Sequence, residues 1–221
     1  MQKGKKVFNI IIAITIIALI SVGGYAAYYY ISNYIELKEA EKAVDEFEND
    51  VIVVNIEDQN IQEEPTQTEE PEDQGGTSNS TTKRTSSGSY YRGYSMIGTI
   101  QIPKTKVKIP IVDKATPASM KSAAAVIYGP GLNEVGNTVI AAHNYRNGTY
   151  FSNNKKLVVG DKIYITDSSG GKLEYTIYKT YTVDATEFSY ATRDTQGKRE
   201  ISLSTCTTDP EQRLVILARE S

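Results

Sequence analysis

The sequence contains very few of the residues that build cross-links and metal sites. Its 221 residues include one cysteine, one histidine and no tryptophan. A single cysteine excludes an internal disulfide framework, and one cysteine with one histidine excludes a zinc site built from these two residue types. The sequence also lacks a glycine-rich phosphate loop, a cluster of acidic metal ligands and a basic, aromatic stripe typical of nucleic-acid binding. We therefore predict no cofactor, no bound metal and no nucleic-acid partner.

Charge is distributed unevenly along the chain, although the net charge is only −3. Residues 32–76 contain 15 acidic and 2 basic residues, whereas residues 92–221 contain 17 basic and 12 acidic residues. This asymmetry indicates a composite chain whose N-terminal third and C-terminal portion have different physical properties.

A long apolar run covers residues 7–27 and follows Lys3, Lys5 and Lys6. A helix of that length spans about 31 Å, which is enough for the hydrocarbon core of a bilayer. Four tyrosines between positions 25 and 30 lie where the chain would leave the membrane. We predict a cytoplasmic tail at 1–6 and a single transmembrane anchor at 7–31, with everything after it extracytoplasmic.

A cleaved signal peptide is the alternative interpretation of this N-terminus. Gly24, Tyr25 and Ala26 have the small-x-small spacing of a cleavage site. The apolar run is longer than the core of a usual signal peptide, which favours a retained anchor.

Residues 32–91 have the composition of a stalk. Weak helical periodicity from Ile35 to Phe47 extends the membrane helix by a few turns, and a short apolar patch at 51–56 has no assigned role. Acidic Glu-Pro segments and then a Ser/Thr/Gly run follow. Because such a composition buries too little apolar surface to offset the entropy of ordering, we predict a disordered, extracytoplasmic tether.

Residues 92–221 have the pattern of a compact, all-β domain. Short β-branched runs alternate with turn signals such as Gly136-Asn137 and Gly160-Asp161. Thr116 and Pro117 favour a short helix through Ala125. Seven or eight short strands in this length favour a small closed or partly closed barrel. The predicted strands are residues 98–102, 107–111, 126–128, 138–143, 162–166, 173–182, 200–205 and 213–219.

Three residues at predicted strand ends could support thiol chemistry. Cys206 ends one strand, His143 ends another, and Arg213 begins the strand that follows Cys206. Catalysis by a thiol needs a nucleophile, a proton partner and positive charge where an oxyanion develops. By residue type alone, a catalytic role is not the simplest interpretation of these three residues. A cysteine in a strand is usually buried and structural, a lone histidine is usually structural, and an arginine at the start of a strand is usually solvated.

The sequence around the cysteine carries a family pattern. Leu203-Ser204-Thr205-Cys206, followed by Arg213, resembles the signature of the sortases, the cysteine transpeptidases of Gram-positive cell surfaces, in which Thr-Leu-x-Thr-Cys ends a strand and an arginine opens the next. Residues 136–143, Gly-Asn-Thr-Val-Ile-Ala-Ala-His, resemble the sortase histidine strand. The resemblance covers residues 95–219. Two residues depart from the family pattern. Ser202 stands where the family usually has Thr, and Ala142 stands where Gly is common.

This resemblance implies a fold and a mechanism. Residues 92–221 would form a sortase-like, eight-stranded β-barrel with short helices. Cys206 would attack the threonine carbonyl of a Leu-Pro-x-Thr-Gly-like sorting signal and form a thioacyl intermediate. His143 would protonate the leaving amine and deprotonate the incoming one, while Arg213 would donate hydrogen bonds to the substrate and the oxyanion. Thr205 would help line the oxyanion site.

The resemblance also implies partners and narrows the class. The donors would be surface proteins or pilins with a C-terminal sorting signal, and the acceptor an amine of a cell-wall precursor or a pilin lysine.

The loop at about 184–198 is too short for the class B insert, and no Asp-Pro-aromatic lid precedes the barrel, which favours a class A-like or class D-like enzyme. Some class A relatives bind calcium beside this loop, but Glu134, Glu187 and Asp194 are too scattered in the sequence to predict a site.

Other cysteine enzymes fit the sequence less well. Papain-like and NlpC-type peptidases place the cysteine before the histidine, and L,D-transpeptidases have a Ser-x-Gly-Cys context that is absent here. A pilin-polymerising sortase and a non-catalytic, membrane-tethered binding module are the alternative functions.

Overall fold

The computed structural model of this chain describes residues 2–60 and 89–221. The described residues form one long helix and a nine-stranded sheet, joined by short 3-10 turns. The Glu-Pro and Ser/Thr/Gly segments of the predicted stalk lie outside the described residues. The elements are α1 (Gln2–Asn60), β1 (Tyr90–Tyr91), β2 (Tyr94–Ile102), β3 (Val107–Val112), β4 (Ala124–Tyr128), β5 (Gly136–Ala141), β6 (Lys162–Asp167), β7 (Lys172–Asp184), β8 (Arg199–Cys206) and β9 (Gln212–Glu220).

Eight of the strands close into a barrel. Their order is β2-β3-β4-β5-β8-β9-β7-β6, and β6 pairs back onto β2. The pairs β3–β4 and β5–β8 are parallel, and the other pairs are antiparallel. Closure satisfies the backbone groups that an open sheet would leave at its edges. The predicted all-β fold and eight-stranded barrel are confirmed.

The barrel interior is filled mainly by isoleucine. Along the regular parts of the strands, apolar side chains that point into the barrel alternate with side chains that point outward, as the pleat of a strand requires. β-Branched side chains fit this pleated, crowded surface with little loss of rotamer freedom. The largest fully buried aliphatic side chains are Ile100, Ile102, Ile109, Ile111, Ile140, Ile163, Ile165, Ile177 and Ile201.

The predicted helix from Thr116 to Ala125 is wrong. A single 3-10 turn lies at Ser119–Lys121, and Ala124 and Ala125 already belong to β4. The Thr116 hydroxyl does accept a hydrogen bond from the Ser119 amide at 3.0 Å. The alanines nevertheless form a strand because they pair with β3 and β5 inside the closed barrel, and tertiary pairing outweighs their helix propensity.

The N-terminal part of α1 is long and apolar enough to cross a membrane. Large apolar side chains such as Phe8, Ile14 and Leu19 are exposed along it. Its polar residues are satisfied locally, since Thr15 and Ser21 donate to backbone carbonyls four residues earlier at 2.9 and 2.8 Å. The predicted single apolar N-terminal helix is confirmed.

The C-terminal part of α1 belongs to the same compact unit as the barrel, which begins at Ala40. Ala40, Val44 and Phe47 lie on one face of the helix and are buried in the apolar cluster that includes the barrel core. The Glu48 carboxylate accepts hydrogen bonds from Thr99 at 2.8 Å, and also from Gln101 and Thr166 at 2.9 and 3.0 Å. The compact unit therefore starts at Ala40. The predicted barrel domain starts later, at residue 92. The periodicity of this segment is visible in the sequence, but the barrel surface that buries it is not.

We expect Phe47→Ala to destabilise the barrel. Phe47 is only 3% exposed, and truncating a buried phenylalanine typically costs about 3–5 kcal/mol of unfolding free energy. Thermal unfolding of the full chain in detergent measures this effect. Ile35→Ala, on the exposed part of the same helix, is the control and should leave the melting temperature nearly unchanged. Equal melting temperatures for both variants would show that α1 does not pack on the barrel.

Candidate active site

The three predicted catalytic residues lie at adjacent strand ends. β5 and β8 are parallel neighbours, with Ala141 opposite Ser204. Cys206 is the last residue of β8, and His143 lies two residues beyond the end of β5, so the two residues lie at the same end of the strand pair. Cys206 is also paired directly with Arg213 across the antiparallel β8–β9 ladder. The tertiary structure thus brings the histidine, the cysteine and the arginine side by side.

Hydrogen bonds on both sides of Cys206 hold the histidine segment beside it. The Thr205 hydroxyl donates to the Ala142 carbonyl at 2.7 Å, and the Asn144 amide nitrogen donates to the Cys206 carbonyl at 2.9 Å. His143 is half-buried, and its ring packs against Tyr145 with the ring centroids 5.1 Å apart. These contacts restrict the relative movement of the histidine and the cysteine. Sequence reasoning missed Asn144, although a polar residue directly after the histidine strand was a usable signal.

Cys206 faces the outside of the barrel. Side chains alternate along β8, so that Ile201 and Leu203 enter the core cluster while Ser202 and Ser204 face outward with Cys206. The cysteine is half-buried and is a free thiol. A substrate can therefore reach the thiol from the outer surface without entering the barrel.

Thr205 lies on the opposite face from the cysteine and is buried. Its hydroxyl is used to hold Ala142, so in this structure the side chain positions the histidine segment. The predicted contribution of Thr205 to an oxyanion site stays a prediction.

Arg213 contacts the turn between β8 and β9. Its Nη1 donates to the carbonyls of Pro210 and Gln212 at 2.8 and 3.0 Å. The planar guanidinium has five donor hydrogens, so these two bonds leave donors for a ligand on the outer face.

We expect Arg213→Lys to lose most of the activity although it keeps the charge. A lysine lacks the planar fork, and losing one donor to an oxyanion typically lowers the rate by about 10²–10³. Peptide-cleavage kinetics of Arg213→Lys and Arg213→Ala measure the loss, and circular dichroism verifies the fold. Near-normal turnover by a folded Arg213→Ala would remove Arg213 from the site.

A buried ion network anchors the loop between β7 and β8 near this surface. The Glu200 carboxylate is 2% exposed; it accepts from Arg193 at 2.5 Å and from Arg219 and Tyr178, both at 2.7 Å. Burial opposes the charge of Glu200, but the hydrogen bonds from Tyr178, Arg219 and Arg193 outweigh it and hold its pKa below the ordinary value. This stabilisation is present above the unfolded-state pKa of a glutamate and is lost as the pH falls through the lower folded value.

The same network reaches the cysteine strand. Arg193 Nη1 donates to the Tyr190 carbonyl at 2.8 Å and to the Ser202 hydroxyl at 2.9 Å. The Tyr190 hydroxyl in turn donates to Ser204, two residues before Cys206, at 3.1 Å. The loop is therefore fixed to the outer face by the protein's own side chains. Sequence reasoning missed this network, although an acid at an outward position of an apolar strand was a signal for Glu200.

Two clefts lie at opposite ends of the β5–β8 pair. The groove between the β4–β5 turn and the anchored loop has a volume of about 640 Å³ and is lined by residues such as Tyr128, Asn137 and Arg193. The second, which we call the strand-end cleft, has a volume of about 380 Å³. Its lining is Asn144, Arg146, Gly148, Phe151, Ser152, Asn153, Lys155, Thr182, Thr205, Cys206, Thr207, Thr208 and Leu214.

Within the part of the chain that the structure describes, no group of three or more His, Cys, Asp or Glu side chains could hold a metal ion. That the chain works without a cofactor stays a prediction.

Comparison with known proteins identifies the family. A family model described as a sortase domain matches residues 100–221, which is more than half of the chain. The chain belongs to the sortase family. No curated protein matches its sequence.

Solved sortase structures resemble this sortase over its barrel. Sortase A from Corynebacterium diphtheriae is 27% identical with a TM-score of 0.53, over 58% of this chain and 61% of that one. The pilus-related sortase C of Group B Streptococcus is 30% identical with a TM-score of 0.53, over 57% and 67% of the two chains. Sortase A of Listeria monocytogenes is 27% identical with a TM-score of 0.51, over 57% and 87%. The match spans less than two thirds of the diphtheria enzyme. These similar structures are sortases of the A and C classes, and the prediction that the chain is not a class B sortase is confirmed.

Proposed function

We propose that this sortase is a membrane-anchored cysteine transpeptidase. It cleaves a Leu-Pro-x-Thr-Gly-like sorting signal between threonine and glycine and transfers the protein to an amine of the cell wall. The observation that carries this proposal is the side-by-side position of His143, Cys206 and Arg213 at three adjacent strand ends.

The proposed reaction has two steps. The Cys206 sulfur attacks the threonine carbonyl carbon, the carbon–nitrogen bond breaks, and His143 gives a proton to the departing amine. A second amine then attacks the thioester, His143 accepts its proton, and the Cys206 sulfur leaves. Arg213 donates hydrogen bonds to the oxygen that becomes negative in both steps.

The donor peptide is assigned to the outer face between the anchored loop and Cys206. Ser202 and Ser204 are buried beneath the loop that carries Tyr190 and Arg193, so the part of this face near Cys206 is the part open to a peptide. The loop borders that part, which supports a role for it in choosing the signal.

The membrane helix sets the location of the reaction. The three lysines that precede the apolar run favour a cytoplasmic N-terminus and an extracytoplasmic barrel. In that topology the active site faces surface proteins that carry C-terminal sorting signals. We propose an anchoring sortase that is class A-like or class D-like. Pilin polymerisation is the second candidate function, which the 30% identity to a pilus-related sortase C favours.

A cleavage screen tests the proposal. The full chain in detergent is incubated with pentapeptides that vary around Leu-Pro-x-Thr-Gly, and hydroxylamine is added to trap the acyl group as a hydroxamate. We expect cleavage at one position and a hydroxamate on the threonine. Labelling of Cys206 by the thiol reagent MTSET, which is present in a solved complex of Streptococcus agalactiae sortase C1, should stop the reaction. No cleavage of any such peptide, with the thiol reactive and the barrel folded, would contradict the proposal.

A further inference from the structure

The strand-end cleft carries charge of one sign. Arg146 and Lys155 line it together with Cys206, and none of its described lining residues is acidic. A cleft that carries only positive charge and reaches the thiol has the character of a binding site for an anionic group.

The two cations come from the segment that follows the histidine. The Arg146 backbone is in the left-handed region, with φ of 59°, and its amide donates to the Asn144 side chain at 3.1 Å. Its guanidinium donates to the Thr208 carbonyl at 2.9 Å, which connects this segment to the β8–β9 turn. Lys155 is exposed and follows the buried Asn154 in a 3-10 turn. The Arg146 guanidinium is thus positioned by this hydrogen bond, whereas Lys155 is exposed.

A buried hydroxyl in the cleft points independently to a polar ligand. Ser152 lines the cleft and is only 6% exposed, and its hydroxyl oxygen has no hydrogen-bond partner in the described residues. A buried hydroxyl without a partner is costly, because it has lost its hydrogen bonds to water. A bound polar group in the cleft would supply the missing partner.

The chemistry of transfer assigns this cleft to the amine. The departing amine and the incoming amine are bonded to the same carbonyl carbon, so both occupy the same side of Cys206. The other side is the outer face along β8, where the anchored loop lies. The strand-end cleft, beyond the ends of β5 and β8, is therefore the space left for the amine.

An ordinary cationic amine would be repelled by Arg146 and Lys155. A carboxylate on the same molecule reverses this repulsion, and the nearby cations then favour the neutral amine, which is the nucleophilic form. Building on the proposed function, we propose that the strand-end cleft selects acceptor amines that carry a carboxylate, which Lys155 and Arg146 bind.

Matched acceptors test this selection. The full chain in detergent transfers a cleavable donor peptide to triglycine or to triglycinamide, at equal concentrations of neutral amine. We expect kcat/KM for triglycine to exceed that for triglycinamide by roughly tenfold, as for a charge-assisted hydrogen bond. The ratio should fall in 0.5 M NaCl, because salt screens the attraction.

Variants of neighbouring lysines separate cleft charge from overall charge. Lys155→Gln should lower the acceptor ratio without bringing it to one, because Arg146 remains in the cleft, and Lys155→Glu should lower the ratio further. Lys156→Gln makes the same charge change on an exposed residue outside the cleft lining and should keep the ratio of the unmodified chain.

The outcomes distinguish this inference from the proposed function. No cleavage of any donor would contradict the proposed function itself. Three outcomes would overturn the cleft assignment although the donor peptide is still cleaved. They are no transfer to triglycine, equal use of triglycine and triglycinamide, and the same triglycine-to-triglycinamide ratio in Lys155→Gln and Lys156→Gln. Preference for triglycinamide by the unmodified chain would instead favour acceptors that resemble a lysine within a protein.

Discussion

Cys206→Ala should abolish both peptide cleavage and transfer. The chain has one cysteine, so no other thiol can form the thioacyl intermediate. The loss is measured by mass spectrometry of the donor peptide and by the absence of a hydroxamate when hydroxylamine is present. The expected result is no product above the rate in buffer.

The fold of this variant must be verified separately. Cys206 is half-buried at the end of β8, and its backbone pairing with Arg213 does not depend on the side chain. Cys206→Ala should therefore keep the melting temperature within a few degrees of the unmodified chain. Cleavage that persists in a folded Cys206→Ala would exclude covalent thiol catalysis and would leave the barrel as a binding module.

His143→Ala should lower turnover by roughly 10²–10⁴, the range typical of a positioned acid–base group. The chain has no second histidine that could replace it. Cys206 should still be alkylated by a thiol reagent, because the thiol itself remains at the surface. Single-turnover kinetics measure formation of the thioacyl intermediate and its reaction with the amine as separate steps.

Asn144→Ala provides a matched comparison for His143→Ala. Asn144 holds the same segment through its bond to the Cys206 carbonyl but has no group that exchanges protons near neutral pH. We expect Asn144→Ala to lower the rate less than His143→Ala and to leave the pH dependence of turnover unchanged. Equal losses in the two variants would indicate that His143 has a structural role only.

Several features of this protein could be predicted from short sequence segments. The apolar run after Lys3, Lys5 and Lys6 indicates a membrane-length helix because span and composition are local properties. The strands from Gly98 onward are indicated by β-branched alternation, and their turns by glycine-containing pairs. The resemblance around Cys206 and His143 names the family, since both motifs are continuous in the sequence.

Other features depend on contacts between distant segments. The periodicity of the segment that ends at Phe47 is local, but its burial is not: Phe47 is buried in the core cluster, and Glu48 acquires its partners only on β2 and β6. The alanines before Val126 favour a helix by propensity, but the closed barrel pairs them as a strand.

The site shows the same division between sequence and tertiary structure. The sequence alone determined which residue types are available: one thiol, one imidazole and an arginine at the start of the next strand. Only the tertiary structure decided that His143 and Cys206 lie at the same end of the barrel, because parallel pairing of β5 with β8 joins segments about 60 residues apart. It also decided that Arg193 and Glu200 anchor the neighbouring loop and that Arg146 and Lys155 share a cleft with the thiol. These arrangements follow from strand order and barrel closure, which are long-range properties that no short window of sequence contains.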